Sequence, residues 1–159
     1  MGKWFFQTVL ILTIFEENCI MCQLGPCEYS LVTVEYVSSC PSNKVEAAQS
    51  ASRKNCEHHA KLQTCTNPNN FKYHCLINAE GNKNIEVCAP GKKVNGFCTE
   101  FDTDTAILQD NYNFDCSKYD PPCPKQYNST EAYLYRECYE CNWEARPTLS
   151  KTYLTEKNP

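Results

Sequence analysis

The sequence predicts a small disulfide-rich α+β domain with one helix and several short antiparallel strands. Thirteen cysteines in 159 residues indicate a chain that is held together by disulfides. One segment, residues 42–55, is rich in helix formers and contains neither glycine nor proline. Short runs of β-branched and aromatic residues, separated by turn residues, predict the strands.

An apolar leader precedes most of the cysteines. Lys3 gives it a positive start, and residues 4–15 are mostly apolar before Glu16 and Glu17. This run is shorter than the roughly 20 residues of a transmembrane helix, but it suits the core of a signal peptide, which needs about 7–15. We predict a signal peptide over residues 1–22, an extracellular cysteine-rich domain over 23–144 and a polar tail over 145–159, and hence a secreted protein.

The cleavage site determines how many cysteines remain to pair. Cleavage after Cys22 leaves eleven, and the odd thiol would allow a disulfide-linked dimer. Cleavage after Cys19 leaves twelve and no odd thiol. We favour the odd number, and both alternatives stay open at this point.

The first elements are bracketed by cysteines. Residues 29–37 are rich in β-branched and aromatic side chains and predict a strand between Cys27 and Cys40. The helix is expected within residues 42–55, where Asn43 and Glu46 have the spacing of a capping box.

Turn residues divide the next part of the chain into short strands. We predict strands over residues 71–78 and 84–89, joined by the turn Glu80-Gly81-Asn82, and a further short strand over 97–100. The polar residues 102–113 are interpreted as a solvated acidic loop, because they lack the glycine and glutamate of a calcium-binding EF-hand loop.

The charge of the chain excludes some partners. The net charge is −4, and the lysines are scattered rather than gathered into a stripe. Binding to nucleic acid or to an anionic membrane surface needs clustered basic residues. We therefore expect no nucleic-acid partner and, since the apolar leader is too short for a transmembrane helix, no membrane span.

One motif predicts a modification. Asn128-Ser129-Thr130 is an N-glycosylation sequon without proline at its middle position. Since a glycan requires an accessible asparagine, Asn128 is expected on the surface.

Few residues suggest metal binding or catalysis. Cys56, His58 and His59 offer ligand atoms for zinc, but no second distinctive His/Cys pair accompanies them, so we predict no metal and no cofactor. The chain lacks the GxSxG and HExxH motifs, and residues 55–59 lack the paired cysteines and the aspartate of secreted phospholipases. We expect no enzyme and no catalytic residues. The three histidines, His58, His59 and His74, could still meet an acid in the folded chain.

A longer pattern of cysteines, aromatic residues and small residues runs from Cys40 to Cys138. It comprises Cys40-Pro41, Asn43, Glu46, Ala51-Ser52, Cys56, Tyr73-His74-Cys75-Leu76, Glu86, Cys88, Gly96, Cys98, Cys123-Pro124, Tyr127, Ser129, Tyr133, Tyr135 and Cys138. The pattern resembles a family of cysteine-rich extracellular domains of molluscs, chiefly bivalves. Ala47 stands where that family usually has tryptophan, and the Ser/Thr-rich stalk and membrane helix of many members are not expected here.

The resemblance implies an extracellular location and a shared disulfide framework, and no activity. The implied framework consists of Cys40, Cys56, Cys75, Cys88, Cys98, Cys116, Cys123 and Cys138. Cys27 and Cys65 are additions to it, and this makes them candidates for the unpaired or intermolecular cysteine.

These observations favour a secreted, disulfide-stabilised recognition module without enzymatic activity, whose partner is an extracellular protein or a glycan. Tyr133, Tyr135 and Tyr139 are expected to give an exposed contact surface, with core packing as the alternative for each. The alternative functions are a secreted effector, such as a hydrolase, a toxin-like or an antimicrobial protein, and a structural matrix protein cross-linked through an odd cysteine.

Overall fold

The computed structural model describes residues 25–139. The predicted signal peptide and polar tail lie outside the described residues, as do Cys19, Cys22 and Cys141. Within residues 25–139 no helix has the length and apolar character needed to cross a bilayer.

The described part of the chain contains two α-helices, seven strands and five 3₁₀ helices. The α-helices are α1 (Lys44–Lys54) and α2 (Cys56–Ala60). The strands are β1 (Glu35–Val37), β2 (Phe71–Asn78), β3 (Asn84–Pro90), β4 (Lys93–Val94), β5 (Cys98–Asp102), β6 (Ile107–Asn111) and β7 (Tyr127–Asn128). The 3₁₀ helices are Glu28–Thr33, Pro68–Asn70, Cys116–Lys118, Ser129–Leu134 and Arg136–Cys138.

Five strands form one sheet in the order β1-β3-β2-β5-β6, and β4 pairs with β7 in a small second sheet. The predicted hairpin is present, with β2 antiparallel to β3 from Phe71 opposite Pro90 to Ile77 opposite Asn84. Strand β5 joins β2 in parallel at only two positions and is antiparallel to β6. The predicted class, a small disulfide-rich α+β domain, is confirmed.

The cap of α1 forms as its sequence predicts. The side chain of Asn43 accepts hydrogen bonds from the backbone N–H groups of Val45 and Glu46, each at 3.0 Å. The Glu46 carboxylate accepts in return from the backbone N–H of Ser42 at 2.8 Å. Asn55, with a left-handed φ of 54°, ends the helix within the predicted bounds of 42–55, and the short α2, which the sequence analysis did not predict, follows it.

Two sequence-based expectations about secondary structure were wrong. The predicted strand over residues 29–37 is a 3₁₀ helix over Glu28–Thr33, and only Glu35–Val37 is a strand. The Thr33 hydroxyl donates to the carbonyl of Ser30 at 2.7 Å, a local bond that competes with strand pairing. The expected acidic loop contains β6, because pairing with β5 overrides the low strand propensity of its polar residues.

Two groups of buried side chains form the interior. The large core consists of Leu76, Ile77, Ile85, Val87, Ala89, Val94, Cys98, Phe101, Leu108, Cys116, Cys123, Tyr127, Ala132, Cys138 and Tyr139. The helix-side core consists of Cys27, Cys56, Ala60, Phe71, Tyr73, Cys75 and Cys88. Alternate residues of β3 contribute to the two cores, as expected for a strand that is buried on both faces.

Five disulfides link the ten cysteines of the described residues. They are Cys27–Cys65, Cys40–Cys75, Cys56–Cys88, Cys98–Cys138 and Cys116–Cys123. All eight cysteines of the implied framework lie in four of these bonds. The prediction that Cys27 or Cys65 is unpaired was wrong, because the fold brings their Cα atoms to 5.5 Å and they bond to each other.

The tyrosines near the end of the described chain do not form an exposed surface. Tyr133 and Tyr139 are buried, and Tyr135 is half-buried with its ring 4.5 Å from that of Tyr127. Their large rings fill space that the limited supply of aliphatic residues leaves open. The alternative of core packing is therefore the correct one for Tyr133 and Tyr139.

Candidate functional site

A cavity of about 300 Å³ opens along the free edge of β6, and we call it the β6 cavity. It is lined by Gly25, Cys27, Pro90, Lys92, residues 106–110 and Tyr112. The backbone N–H of Cys27 donates to the carbonyl of Ala106 at 3.0 Å and ties the start of the described chain to this wall. Because β6 is the last strand of the sheet, its outer edge is available to form one side of the cavity.

Asp110 is the most informative residue of the β6 cavity. Its side chain is only 4% exposed, and Oδ2 accepts from the backbone and side-chain N–H groups of Asn95, each at 3.2 Å. Its other oxygen, Oδ1, has no hydrogen-bond donor among the described residues and lies 3.8 Å from Nζ of Lys92. A buried carboxylate oxygen that has a cation nearby but no hydrogen-bond donor is not fully satisfied, and a bound ligand could supply that donor.

A large aromatic ring lies at the same cavity. Tyr112 is 76% exposed, and its ring meets the half-buried ring of Phe97 edge to face at 5.1 Å between centroids. Phe97 therefore restricts the orientation of the Tyr112 ring without covering it. An exposed, held ring beside a buried polar group is typical of ligand sites, which combine apolar walls with a few placed polar groups.

A second and larger cavity, of about 590 Å³, lies between the two α-helices and the start of β2. Small side chains such as Ala51 and Ala60 leave this groove open, and Phe71 and Tyr73 line it from the sheet. We call it the α1–β2 groove.

One buried charge beside the α1–β2 groove, that of Glu86, has its partners within the protein. The Glu86 carboxylate is buried, and it accepts from Nη2 of Arg53 at 2.9 Å and from the hydroxyl of Tyr73 at 2.7 Å. Burial, and then the bond to Glu86, raises the pKa of Tyr73. These contacts tie α1 to the sheet and explain the buried charge without a ligand.

His74 and Ser129 form a buried pair that superficially resembles a catalytic dyad. Nδ1 of His74 lies 2.9 Å from the carbonyl of Lys72, which can only accept, so Nδ1 donates and Nε2 accepts from the Ser129 hydroxyl at 2.9 Å. Burial lowers the pKa of His74 to about 4 and keeps the ring neutral. Both residues are 1% exposed, and a carbonyl replaces the acid of a triad. The pair therefore links β2 to the 3₁₀ helix Ser129–Leu134 and is not placed to meet a substrate.

Two of the other candidate ligand residues, Cys56 and His59, are also engaged, whereas His58 is exposed. The sulfur of Cys56 is bonded to Cys88, and Nδ1 of His59 lies 3.2 Å from the hydroxyl of Tyr29. The sulfurs of Cys98, Cys116 and Cys138 lie within 4.8 Å of one another, but each belongs to a disulfide and offers no thiolate.

Asn128, the predicted glycosylation site, is exposed at the end of β7, opposite Lys93 of β4. The asparagine is therefore placed where a glycan can be accommodated, while Ser129 beside it points into the protein. Whether a glycan is attached stays a prediction.

Sequence reasoning missed the residues of the β6 cavity. Asp110 lies in a polar segment whose composition predicts a loop, and its partners Lys92 and Asn95 come from another part of the chain. The apolar pair Ile107-Leu108 inside this polar segment is the one sequence signal of a strand.

Comparisons of the chain with protein-family models, with curated proteins and with solved structures found no match.

Proposed function

We propose that the chain is a secreted recognition module without enzymatic activity, which binds an extracellular ligand in the β6 cavity. The observation that carries the proposal is the buried Asp110 Oδ1, which lacks a hydrogen-bond donor beside an open cavity. A ligand that donates a hydrogen bond there would satisfy it.

The disulfides favour a binding site that is already formed before the ligand binds. Five disulfides restrict the motion of the described residues. One of them includes Cys27, which lines the β6 cavity, so this wall is held in place before a ligand arrives. A preformed site loses less conformational entropy on binding than a flexible one.

The extracellular setting rests on several observations together. Disulfides persist in oxidising compartments, and the leader has the form of a signal peptide. The resemblance to mollusc extracellular domains implies the same location. A hydrolase is disfavoured because the His74–Ser129 pair is buried and lacks an acid.

The test is a binding screen with the purified secreted protein against panels of extracellular proteins and of glycans. The informative variant is Asp110→Asn, and its matched control is Asp104→Asn, which makes the same charge change at an exposed position outside the cavity. We expect at least one ligand whose affinity falls by about tenfold or more in Asp110→Asn and stays at the wild-type value in Asp104→Asn. Ligands that bind both variants equally would contradict the proposed site.

A further inference from the structure

We infer that the ligand of the β6 cavity is a neutral carbohydrate, and that one of its hydroxyl groups bridges Asp110 and Lys92. This inference rests on the proposed function and specifies its ligand. It follows from the distance between two side-chain atoms, from their opposite charges and from the neighbouring exposed ring.

The distance between the two polar atoms fits a bridging oxygen. Oδ1 of Asp110 and Nζ of Lys92 are 3.8 Å apart, which is too far for a direct hydrogen bond. Because Oδ1 is itself buried, an oxygen reaches a position about 2.8 Å from both atoms only after a small shift of the partly exposed Lys92 side chain, and it then makes a normal hydrogen bond to both. Such an oxygen must donate to the carboxylate and accept from the ammonium group, and a hydroxyl does both at a single atom.

The paired charges select against charged ligands. An ammonium group that approaches Asp110 would be repelled by Lys92, and a carboxylate, sulfate or phosphate that approaches Lys92 would be repelled by Asp110. An apolar group would leave both atoms without a partner and would remove water from them at a cost. A neutral hydroxyl is the group that satisfies both side chains.

The exposed ring of Tyr112 supplies the second element of a sugar site. The face of an aromatic ring is electron-rich and attracts the C–H groups that one side of a sugar ring presents. Tyr112 lines the same cavity as Asp110 and Lys92 and is held by Phe97. A ligand with both hydroxyl groups and a C–H face can therefore contact all three side chains of the site.

The size of the cavity limits how much of a glycan it holds. A volume of about 300 Å³ lies at the lower end of the range of small-molecule sites, about 300–1,000 Å³. The cavity therefore accommodates one sugar ring rather than a chain of them. We expect recognition of a single or terminal sugar residue.

The experiment measures binding of neutral monosaccharides and their short oligomers, by ligand-observed NMR and calorimetry, to the full secreted protein. Glucose, galactose, mannose and N-acetylglucosamine are the probes, with sialic acid and glucosamine as charged comparisons. The variants are Lys92→Met and Tyr112→Ala, and the matched control is Lys93→Met, which removes the neighbouring exposed lysine outside the cavity.

We expect at least one neutral sugar to bind, with a loss of about tenfold or more in Lys92→Met and Tyr112→Ala and less than about twofold in Lys93→Met. Because Lys92 holds Ser129 through its backbone N–H, the side-chain change leaves that contact intact. Unchanged near-ultraviolet circular dichroism would show that each variant is folded.

Three results would overturn the inference, and they separate it from the proposed function. A protein or charged ligand that binds with dependence on Asp110, while no neutral sugar binds, would overturn the carbohydrate assignment and leave the recognition module in place. Sugar binding that none of the cavity variants weakens would overturn the site. The absence of any ligand for the cavity across both screens would overturn both proposals.

Discussion

The two cores of the protein are stabilised in different ways. Four of the seven residues of the helix-side core are cysteines, against four of the fifteen in the large core. Three disulfides, those of Cys27, Cys40 and Cys56, attach the helices and the N-terminal segment to the rest. The large core instead gathers most of the aliphatic side chains and several tyrosines. Cross-links are therefore densest where apolar side chains are fewest.

The first prediction compares a phenylalanine from each core. Phe101→Ala should lower the free energy of unfolding by about 4 kcal/mol, because it leaves a closed cavity in the large core. Phe71→Ala should cost less, about 3 kcal/mol, because Phe71 lines the α1–β2 groove and water can enter the space. Guanidinium unfolding of the oxidised proteins measures both values. A larger loss for Phe71→Ala would reverse the comparison.

The second prediction compares two disulfides. Removing Cys56–Cys88, which spans 32 residues, by a double alanine substitution should cost about 3–4 kcal/mol in the chain-entropy model. Removing Cys116–Cys123, which spans 7 residues in the large core, should cost about 2–3 kcal/mol. Thermal and denaturant unfolding of the two double variants tests the order. If removal of Cys116–Cys123 lowers the free energy of unfolding more than removal of Cys56–Cys88, packing around the sulfurs outweighs the entropy of the unfolded chain.

The third prediction concerns pH and the large-core side of β2. Burial holds the pKa of His74 near 4, against an ordinary value of 6.5. Between these values the unfolded chain binds a proton that the folded protein does not, so the free energy of unfolding falls as the pH drops from about 6.5 to about 4, by about 3 kcal/mol in all.

The measurement is the pH dependence of the free energy of unfolding in wild type and in His74→Gln. His74→Gln should lose this contribution to the slope. Equal slopes in wild type and His74→Gln would show that another group accounts for the acid sensitivity.

The smallest expected effect tests the polar contacts of the helix side. Tyr73→Phe removes the hydroxyl that donates to Glu86 and should cost about 1–2 kcal/mol. The loss is limited because Arg53 still contacts both carboxylate oxygens. Tyr112→Phe, at an exposed ring, is the control and should leave stability unchanged. A loss above that of the disulfide variants would mean that polar contacts, rather than cross-links, dominate this side.

The elements that sequence predicted are those determined by neighbouring residues. The cap of α1 depends on Asn43 and Glu46, and the β2–β3 hairpin depends on one turn with Gly81 at a φ of 71°. The polar residues of β6 carry no strand pattern, although its hairpin partner β5 is close in the chain. The 3₁₀ helix before β1 depends in part on a distant partner, because the Thr33 hydroxyl that donates to Ser30 also accepts from the backbone N–H of Cys88. The β6 cavity was not predictable for the same reason, since Lys92, Asn95 and Asp110 meet only in the folded chain.

The order of the cysteines along the chain has a consequence for biosynthesis. The bonds Cys27–Cys65, Cys40–Cys75 and Cys56–Cys88 interlace, and Cys98–Cys138 encloses Cys116–Cys123. None of these five bonds joins the first group to the second. Every partner of the first group is therefore outside the ribosome once Cys88 has emerged, and the first group can be oxidised correctly before Cys98 emerges in turn.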